Sequence, residues 1–381
     1  MKYLFILFLC FFINGCIPFN DTPKPSGVYS IGTRSLEIID FNRKEWFTKN
    51  DKNDLRKIMV QIWYPTKDLK GERDPYIDYG NIRIKALSEQ FDYSTVLFRN
   101  LINVKTNSIK NAAPLDNINQ FPLIIFSHGL GGMRVQNTIL VEELVSNGYV
   151  VVAIEHAYDA NVSVFSDSTI ADYRSGISYE GRNFIQLTPD QFWDLRLPQL
   201  KTRAGDVYFV INQIEKGMLF KDILPMVDLN KIGIFGHSFG GATSIYSSYF
   251  DSRIDACINL DGWIVVIPDD IVENGINQNF MYIGQEKWDE ELNYKKLDNL
   301  IKANKSSEKI IIPLTTHYDF SDTPHMSSAA KLLNISGKIK NKDLKNILNY
   351  LVVSFFNKNL KNQDIDYLNL VNKFGVDLNI D

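Results

Sequence analysis

The stretch Lys231-Ile232-Gly233-Ile234-Phe235-Gly236-His237-Ser238-Phe239-Gly240-Gly241-Ala242 decides how this chain is built. An apolar run of strand character ends in Gly-x-Ser-x-Gly, and small residues then open a helix predicted over Ala242 to Phe250. A strand that turns abruptly into a helix brings backbone segments too close for a Cβ, so glycines flank the serine. The serine hydroxyl is left exposed above the strand end, with the first helical amides aimed at it and able to stabilise negative charge beside it.

Working outward, strand-like and helix-like segments alternate, as in a largely parallel sheet covered by helices. Arg34 to Phe41 and Lys57 to Tyr64 read as early strands, the second stopped by Pro65. Phe121 to Ser127 is a continuous apolar run, as a strand buried on both faces requires. Gln136 to Asn147 has helical spacing, and Tyr149 to Ile154 is the next buried strand. From Tyr158 to Gln191 no period is sustained, which marks residues 158–191 as an inserted loop or cap, and Asp194 to Lys216 resumes as a long helix. With the glycine-flanked serine, this is the pattern of the α/β-hydrolase fold: a mostly parallel central sheet, helices on both faces and a cap-like insertion.

A serine hydroxyl needs a base, and in this fold the order along the chain is Ser, then Asp or Glu, then His. His128, His156 and His237 precede Ser238, leaving His317 and His325. His317 follows the apolar run Lys309 to Thr315, read as the last buried strand, so its position favours it. For the acid, Asp261 ends the run Ala256 to Leu260, whereas Glu286 and Asp289 follow the run Phe280 to Gly284. Periodicity alone does not choose between them. An oxyanion hole needs two backbone donors, one from the residue after the nucleophile, Phe239, and one from the loop Ser127-His128-Gly129-Leu130-Gly131-Gly132.

Three motifs in order, Gly-His-Ser-Phe-Gly-Gly, then Leu260-Asp261-Gly262-Trp263, then His317-Tyr318-Asp319-Phe320, resemble the platelet-activating factor acetylhydrolase family. The resemblance runs from Ile62-Trp63-Tyr64-Pro65 to the histidine loop. It implies Asp261 as the acid, Leu130 as the second oxyanion donor through its His-Gly-Leu-Gly segment, and hydrolysis of short acyl chains from phospholipids. A general or dienelactone-hydrolase-like esterase stays open. So does a non-catalytic surface lipoprotein that keeps the fold, although such a protein is expected to have lost part of the triad. Trp263 to Ile267, with Trp193, Tyr158, Phe165, Tyr173 and Tyr179, are candidates for an acyl pocket or membrane-facing rim.

The N-terminus is read separately. The apolar run from Tyr3 to Ile13 is too short to span a bilayer as a permanent helix and reads as a signal peptide over residues 1–15. Ile13-Asn14-Gly15-Cys16 resembles a bacterial lipobox, which makes Cys16 the lipidated residue of an exported, membrane-anchored protein. Residues 16–27 are then a tether and 28–381 the catalytic domain. Only Cys257 is left in that domain, so no disulfide forms within it. At 381 residues, 45% hydrophobic, the chain can bury a large core. A net charge of −4 offers no basic surface for nucleic acid. No metal-ligand spacing and no nucleotide loop occurs, so the expected chemistry needs neither metal nor cofactor.

Overall fold

Alternation along buried strands organises the structure, a computed structural model that describes residues 17–48, 50–116, 120–175 and 188–366 and the backbone of 379–380. The strands are β1 (Ser30–Lys44), β2 (Leu55–Thr66), β3 (Arg73–Pro75), β4 (Lys105–Lys110), β5 (Phe121–Ser127), β6 (Val150–Glu155), β7 (Val162–Val164), β8 (Ile170–Asp172), β9 (Val227–His237), β10 (Ile254–Leu260), β11 (Asn279–Gly284), β12 (Ser307–Ile311) and β13 (Asn379–Ile380). The longer helices are α1 (Gly80–Phe91), α2 (Thr138–Ser146), α3 (Pro189–Glu215), α4 (Phe239–Phe250), α5 (Glu291–Ala303) and α6 (Asn341–Lys361).

The main sheet runs β13-β12-β11-β10-β9-β5-β6-β2-β1-β4-β3, and β7 pairs with β8 apart from it. From β6 to β12 every neighbouring pair is parallel, while β2 joins β6 and β1 antiparallel. This is the expected α/β-hydrolase arrangement. Successive residues of β5 face opposite sides: Leu123 and Ile125 join one core with Val207 and Ile211 of α3, and Ile124 and Phe126 join the other with Leu351 and Phe355 of α6. Each such side chain, fully withdrawn from water, stabilises the fold by about 1.5–3 kcal/mol. Cys257 lies in this core as a free thiol, its pKa pushed up to about 12 by burial.

Several predicted elements shift at their ends for identifiable reasons. Strand β2 continues through Pro65 to Thr66: its pairing with β6 ends at Trp63, so the missing N–H of Pro65 breaks no bond to β6, and beyond that point Leu115 N donates to Pro65 O at 3.0 Å. Helix α3 begins five residues before the predicted Asp194. A capping box starts it, with Thr188 accepting from the Gln191 amide, Gln191 accepting from the Thr188 amide, and Pro189 in the first turn. Within residues 158–191 the structure places the β7–β8 hairpin and the start of α3; residues 176–187 lie outside the described residues.

The tether expected over residues 16–27 is corrected by packing. Residues 1–16, including the signal segment and Cys16, lie outside the described residues, but from Ile17 the chain is docked on the domain. Asn20 N donates to Met326 O at 2.9 Å, and Thr22 N donates to Lys105 O at 3.1 Å. The cause is Glu142, fully buried on α2, whose carboxylate is held by Thr22 (3.0 Å), Asn107 (2.8 Å) and Ser108 (2.7 Å). A buried carboxylate needs donors, and the N-terminal strap supplies one of them. Among the described residues no helix is long and apolar enough to cross a membrane.

Candidate active site

Register brings the site together. Ser127 at the end of β5 pairs with Gly236 of β9, and His237 pairs with Leu260 at the end of β10. The loops that leave these strands therefore rise from one edge of the sheet, the carboxyl edge where ligands of open α/β sheets bind. Leu130, Ser238 and Asp261 ride on them, and His317 follows β12 in a short 3-10 turn, His317–Phe320.

Ser238 has φ 57° and ψ −121°, a conformation that a non-glycine residue adopts only when its surroundings impose it. Here they do. A Cβ on Gly236 would lie 2.2 Å from Gly240 O, and one on Gly240 would lie 2.0 Å from Ser127 O, so the flanking glycines permit the turn. Ser238 N donates to Leu260 O at 3.0 Å, and Ser238 O accepts from Gly241 and Trp263 amides. The helix after the turn begins at Phe239, three residues ahead of the predicted Ala242, because the turn itself is its N-cap. Ser238 is partly exposed while Gly236, His237, Phe239 and Gly240 are buried.

His317 Nδ1 donates to Asp261 Oδ2 at 2.6 Å, joining residues 56 apart. Asp261 has no exposed side-chain surface, whereas His317 retains 31%. With Nδ1 committed to the carboxylate, Nε2 of the neutral ring is the basic nitrogen. Asp261 is fixed by further donors: Tyr282 OH at 3.1 Å, Gln285 N at 3.1 Å and Trp288 Nε1 at 3.0 Å on Oδ1, and Gln285 Nε2 at 2.9 Å on Oδ2. Burial, reinforced by the Asp261 charge, holds the Tyr282 phenol well above its ordinary range, so it stays a donor. Glu286, the other candidate acid, is exposed and accepts from Leu314 N at 3.0 Å. His325 is half-buried in the short helix Thr323–Met326, and burial beside Lys345 and Lys331 lowers it to about 4.

The ring of His237 lies 4.5 Å from that of His317, which sets the histidine turn against the serine turn. His237 Nε2 donates to His317 O at 3.0 Å, and His237 Nδ1 accepts from Gln136 Nε2 at 2.7 Å. Burial and the neighbouring His317 hold His237 well below the usual histidine range, consistent with that acceptor role. Gln136 Oε1 in turn accepts from Gly129 N at 3.3 Å, at the head of the Leu130 loop. Leu130 is partly exposed and packs in one apolar cluster with Trp263 and Phe192. Among the described residues the amides of Leu130 and Phe239 meet no acceptor.

Gln136, Gln285 and Trp288 escape a reading of the sequence, because long-range partners of a carboxylate or imidazole leave no local pattern. The pocket candidates divide. Ile264, Val266, Ile267 and Phe165 are core, and Tyr179 lies outside the described residues. Trp263 stands at the site, its amide on Ser238 O and its ring 5.9 Å from Phe192.

A second Ser, His and Asp set lies deeper. Ser127 Oγ bonds His156 Nε2 at 2.9 Å and His156 Nδ1 donates to Asp206 Oδ2 at 2.8 Å, but all three residues are 0% exposed and Asp206 is also bound by Arg56. No substrate reaches it, and its role is structural. Burial, then the Arg203 charge, lowers His156 to about 4. Below pH 6.5 the unfolded chain takes up a proton that the folded chain refuses, so the contribution of His156 is whole above that pH and is lost as pH falls toward 4. His156→Gln is therefore less stable than the wild type, by a deficit that shrinks by about 1–2 kcal/mol between pH 6.5 and 5 in urea titrations. A deficit independent of pH contradicts this.

The chain is similar in sequence and in fold to known proteins. The sequence profile of platelet-activating factor acetylhydrolase, isoform II, matches residues 17–377. A platelet-activating factor acetylhydrolase of Canis lupus familiaris is 27% identical over 365 residues, 89% of this chain and 77% of that protein. A probable 1-alkyl-2-acetylglycerophosphocholine esterase of Arthroderma benhamiae is 25% identical over 340 residues, 83% of this chain and 80% of that one. Among solved structures, a ferulic acid esterase from Streptomyces cinnamoneus superimposes with a TM-score of 0.73 at 24% identity, over 92% of this chain and 95% of its own, a likeness of fold. With a profile match that spans nearly the whole chain, the protein belongs to the platelet-activating factor acetylhydrolase isoform II family.

Proposed function

We propose that the protein is a serine-dependent carboxylic ester hydrolase whose nucleophile is Ser238, whose base is His317 and whose orienting acid is Asp261. The observation that carries this reading is the His317 to Asp261 hydrogen bond of 2.6 Å, seated beside a serine held at φ 57° by two glycines that admit no side chain. Ser238 Oγ attacks the ester carbonyl as its proton passes to His317 Nε2. The oxyanion lies against the amides of Leu130 and Phe239. Collapse of the tetrahedral intermediate breaks the ester C–O bond, and the imidazolium returns its proton to the departing alkoxide. Water, deprotonated by His317, then releases the acid and restores Ser238.

The substrate class is a phospholipid carrying a short acyl ester, in keeping with the activities that name the canine and fungal relatives. An exported protein anchored through a lipid on Cys16 fits this substrate. Ile17, next to that residue, lines an apolar depression with Tyr93, Phe98 and Leu333, and the exposed Leu332 precedes Leu333 in the chain, a face suited to a bilayer surface. Because residues 17–27 are docked, an anchor at Cys16 holds this face near the membrane. Parallel assays on a 2-acetyl phospholipid, a 2-palmitoyl phospholipid and a soluble acetate ester test the substrate class. The expected result is a kcat/KM on the acetyl phospholipid at least about tenfold above that on the palmitoyl one, a difference of about 1.4 kcal/mol in transition-state binding. Turnover of the soluble ester alone favours a general esterase instead.

A further inference from the structure

We infer that Arg203 is the positioning residue of the oxyanion hole, one buried guanidinium that sets both of its halves; the inference rests on Leu130 and Phe239 being the oxyanion donors. Arg203 projects from α3 and is 0% exposed. Its Nη1 donates to His128 O at 2.7 Å and its Nη2 donates to Gly129 O at 3.3 Å. The second contact bears on orientation. Gly129 C=O and Leu130 N–H belong to one planar trans peptide, so a group that fixes the carbonyl also fixes where the amide points. His128 Nδ1 donates to the same oxygen at 2.6 Å, and two donors on the carbonyl polarise the peptide and strengthen its N–H as a donor.

The far side of Leu130 is tied to the same guanidinium through Asp159. Arg203 Nε donates to Asp159 Oδ2 at 2.8 Å, and the Asp159 backbone oxygen accepts from Gly131 N at 2.9 Å. Gln199, one turn before Arg203 on α3, donates to Asp159 Oδ1 and completes the clamp. The other half of the hole is in contact too, since Arg203 Cζ lies 5.0 Å from the centroid of the Phe239 ring. A planar, forked donor spans two carbonyls, a carboxylate and a ring face together; an ammonium on a flexible stem does not. Burial lowers the Arg203 pKa, yet the paired Asp159 and the two carbonyls give the charge partners.

Arg203→Lys tests this, assayed on a soluble acetate ester with folding followed by circular dichroism. Removing an oxyanion donor outright costs about 10²–10³ in kcat, so misaiming it is expected to lower kcat about ten- to hundredfold with KM within about twofold. Affinity for a trifluoromethyl ketone, which forms the tetrahedral adduct, falls in parallel with kcat/KM, while affinity for the product alcohol is unchanged; a merely structural role does not split the two. Folded Arg203→Lys with kcat within about threefold of wild type, or with unchanged ketone affinity, overturns the inference. Should Arg203→Lys not fold, Asp159→Asn, which keeps the carbonyl that holds Gly131, decides the matter by the same criteria. If wild-type hydrolysis persists in Ser238→Ala, it is the catalytic reading that fails.

Discussion

Ser238→Ala is expected to lower kcat on a short activated ester by about 10⁴–10⁶-fold, with KM nearly unchanged. The oxygen removed is the one proposed to form the acyl bond, and Ser127 does not replace it, being fully buried and already bound to His156. What survives is the help that oxyanion donors give to direct attack by water, typically 10³–10⁴ over solution. The fold does not suffer, because the turn is held by Ser238 backbone bonds to Leu260, Gly241 and Trp263, which alanine keeps. A variant that unfolds at the wild-type urea midpoint but retains more than about a tenth of the activity would count against Ser238 as nucleophile.

The second large effect is Asp261→Asn, expected to cost about 10³–10⁴ in kcat. Four donor groups, from Tyr282, Gln285 through two nitrogens and Trp288, converge on the carboxylate besides His317. An amide in this place directs N–H into donors, and whichever way it turns at least one of them is left without its acceptor. If the nitrogen faces His317, the ring must accept through Nδ1, and Nε2 then carries the proton and no longer serves as a base. Glu286→Gln is expected to stay within about threefold of wild type, since its carboxylate is exposed and engaged by Leu314 N. Paired kinetics of the two variants separate the assignments: a large loss in Glu286→Gln with Asp261→Asn near normal overturns the choice of Asp261.

How much of this is legible in the sequence follows the range of each interaction. The serine turn depends on residues within three positions of Ser238, so Gly236 and Gly240 disclose it. The order of Ser238, Asp261 and His317 and the buried runs of β5, β6, β10 and β11 are likewise local, and the sheet follows from them. Family resemblance favours Asp261 over Glu286, because both end an apolar run; the structure adds the hydrogen bond to His317. Element ends are missed where a tertiary partner or a cap overrides the period, as at Thr188. The docking of residues 17–27 is invisible, since it answers the buried Glu142 more than a hundred residues away. Arg203, Gln136 and Trp288 are silent for the same reason: each acts on a loop or carboxylate distant in sequence.

The most direct test of the account is where a fluorophosphonate attaches to the intact protein. The reagent phosphonylates a serine whose hydroxyl is activated by a neighbouring imidazole and whose adduct oxygen is held in an oxyanion hole. After brief labelling at neutral pH and peptide mass spectrometry, the account predicts one stoichiometric adduct on Ser238, absent from Ser238→Ala and strongly slowed in Asp261→Asn. No adduct on the folded wild type, or an adduct that persists in Ser238→Ala, would contradict it.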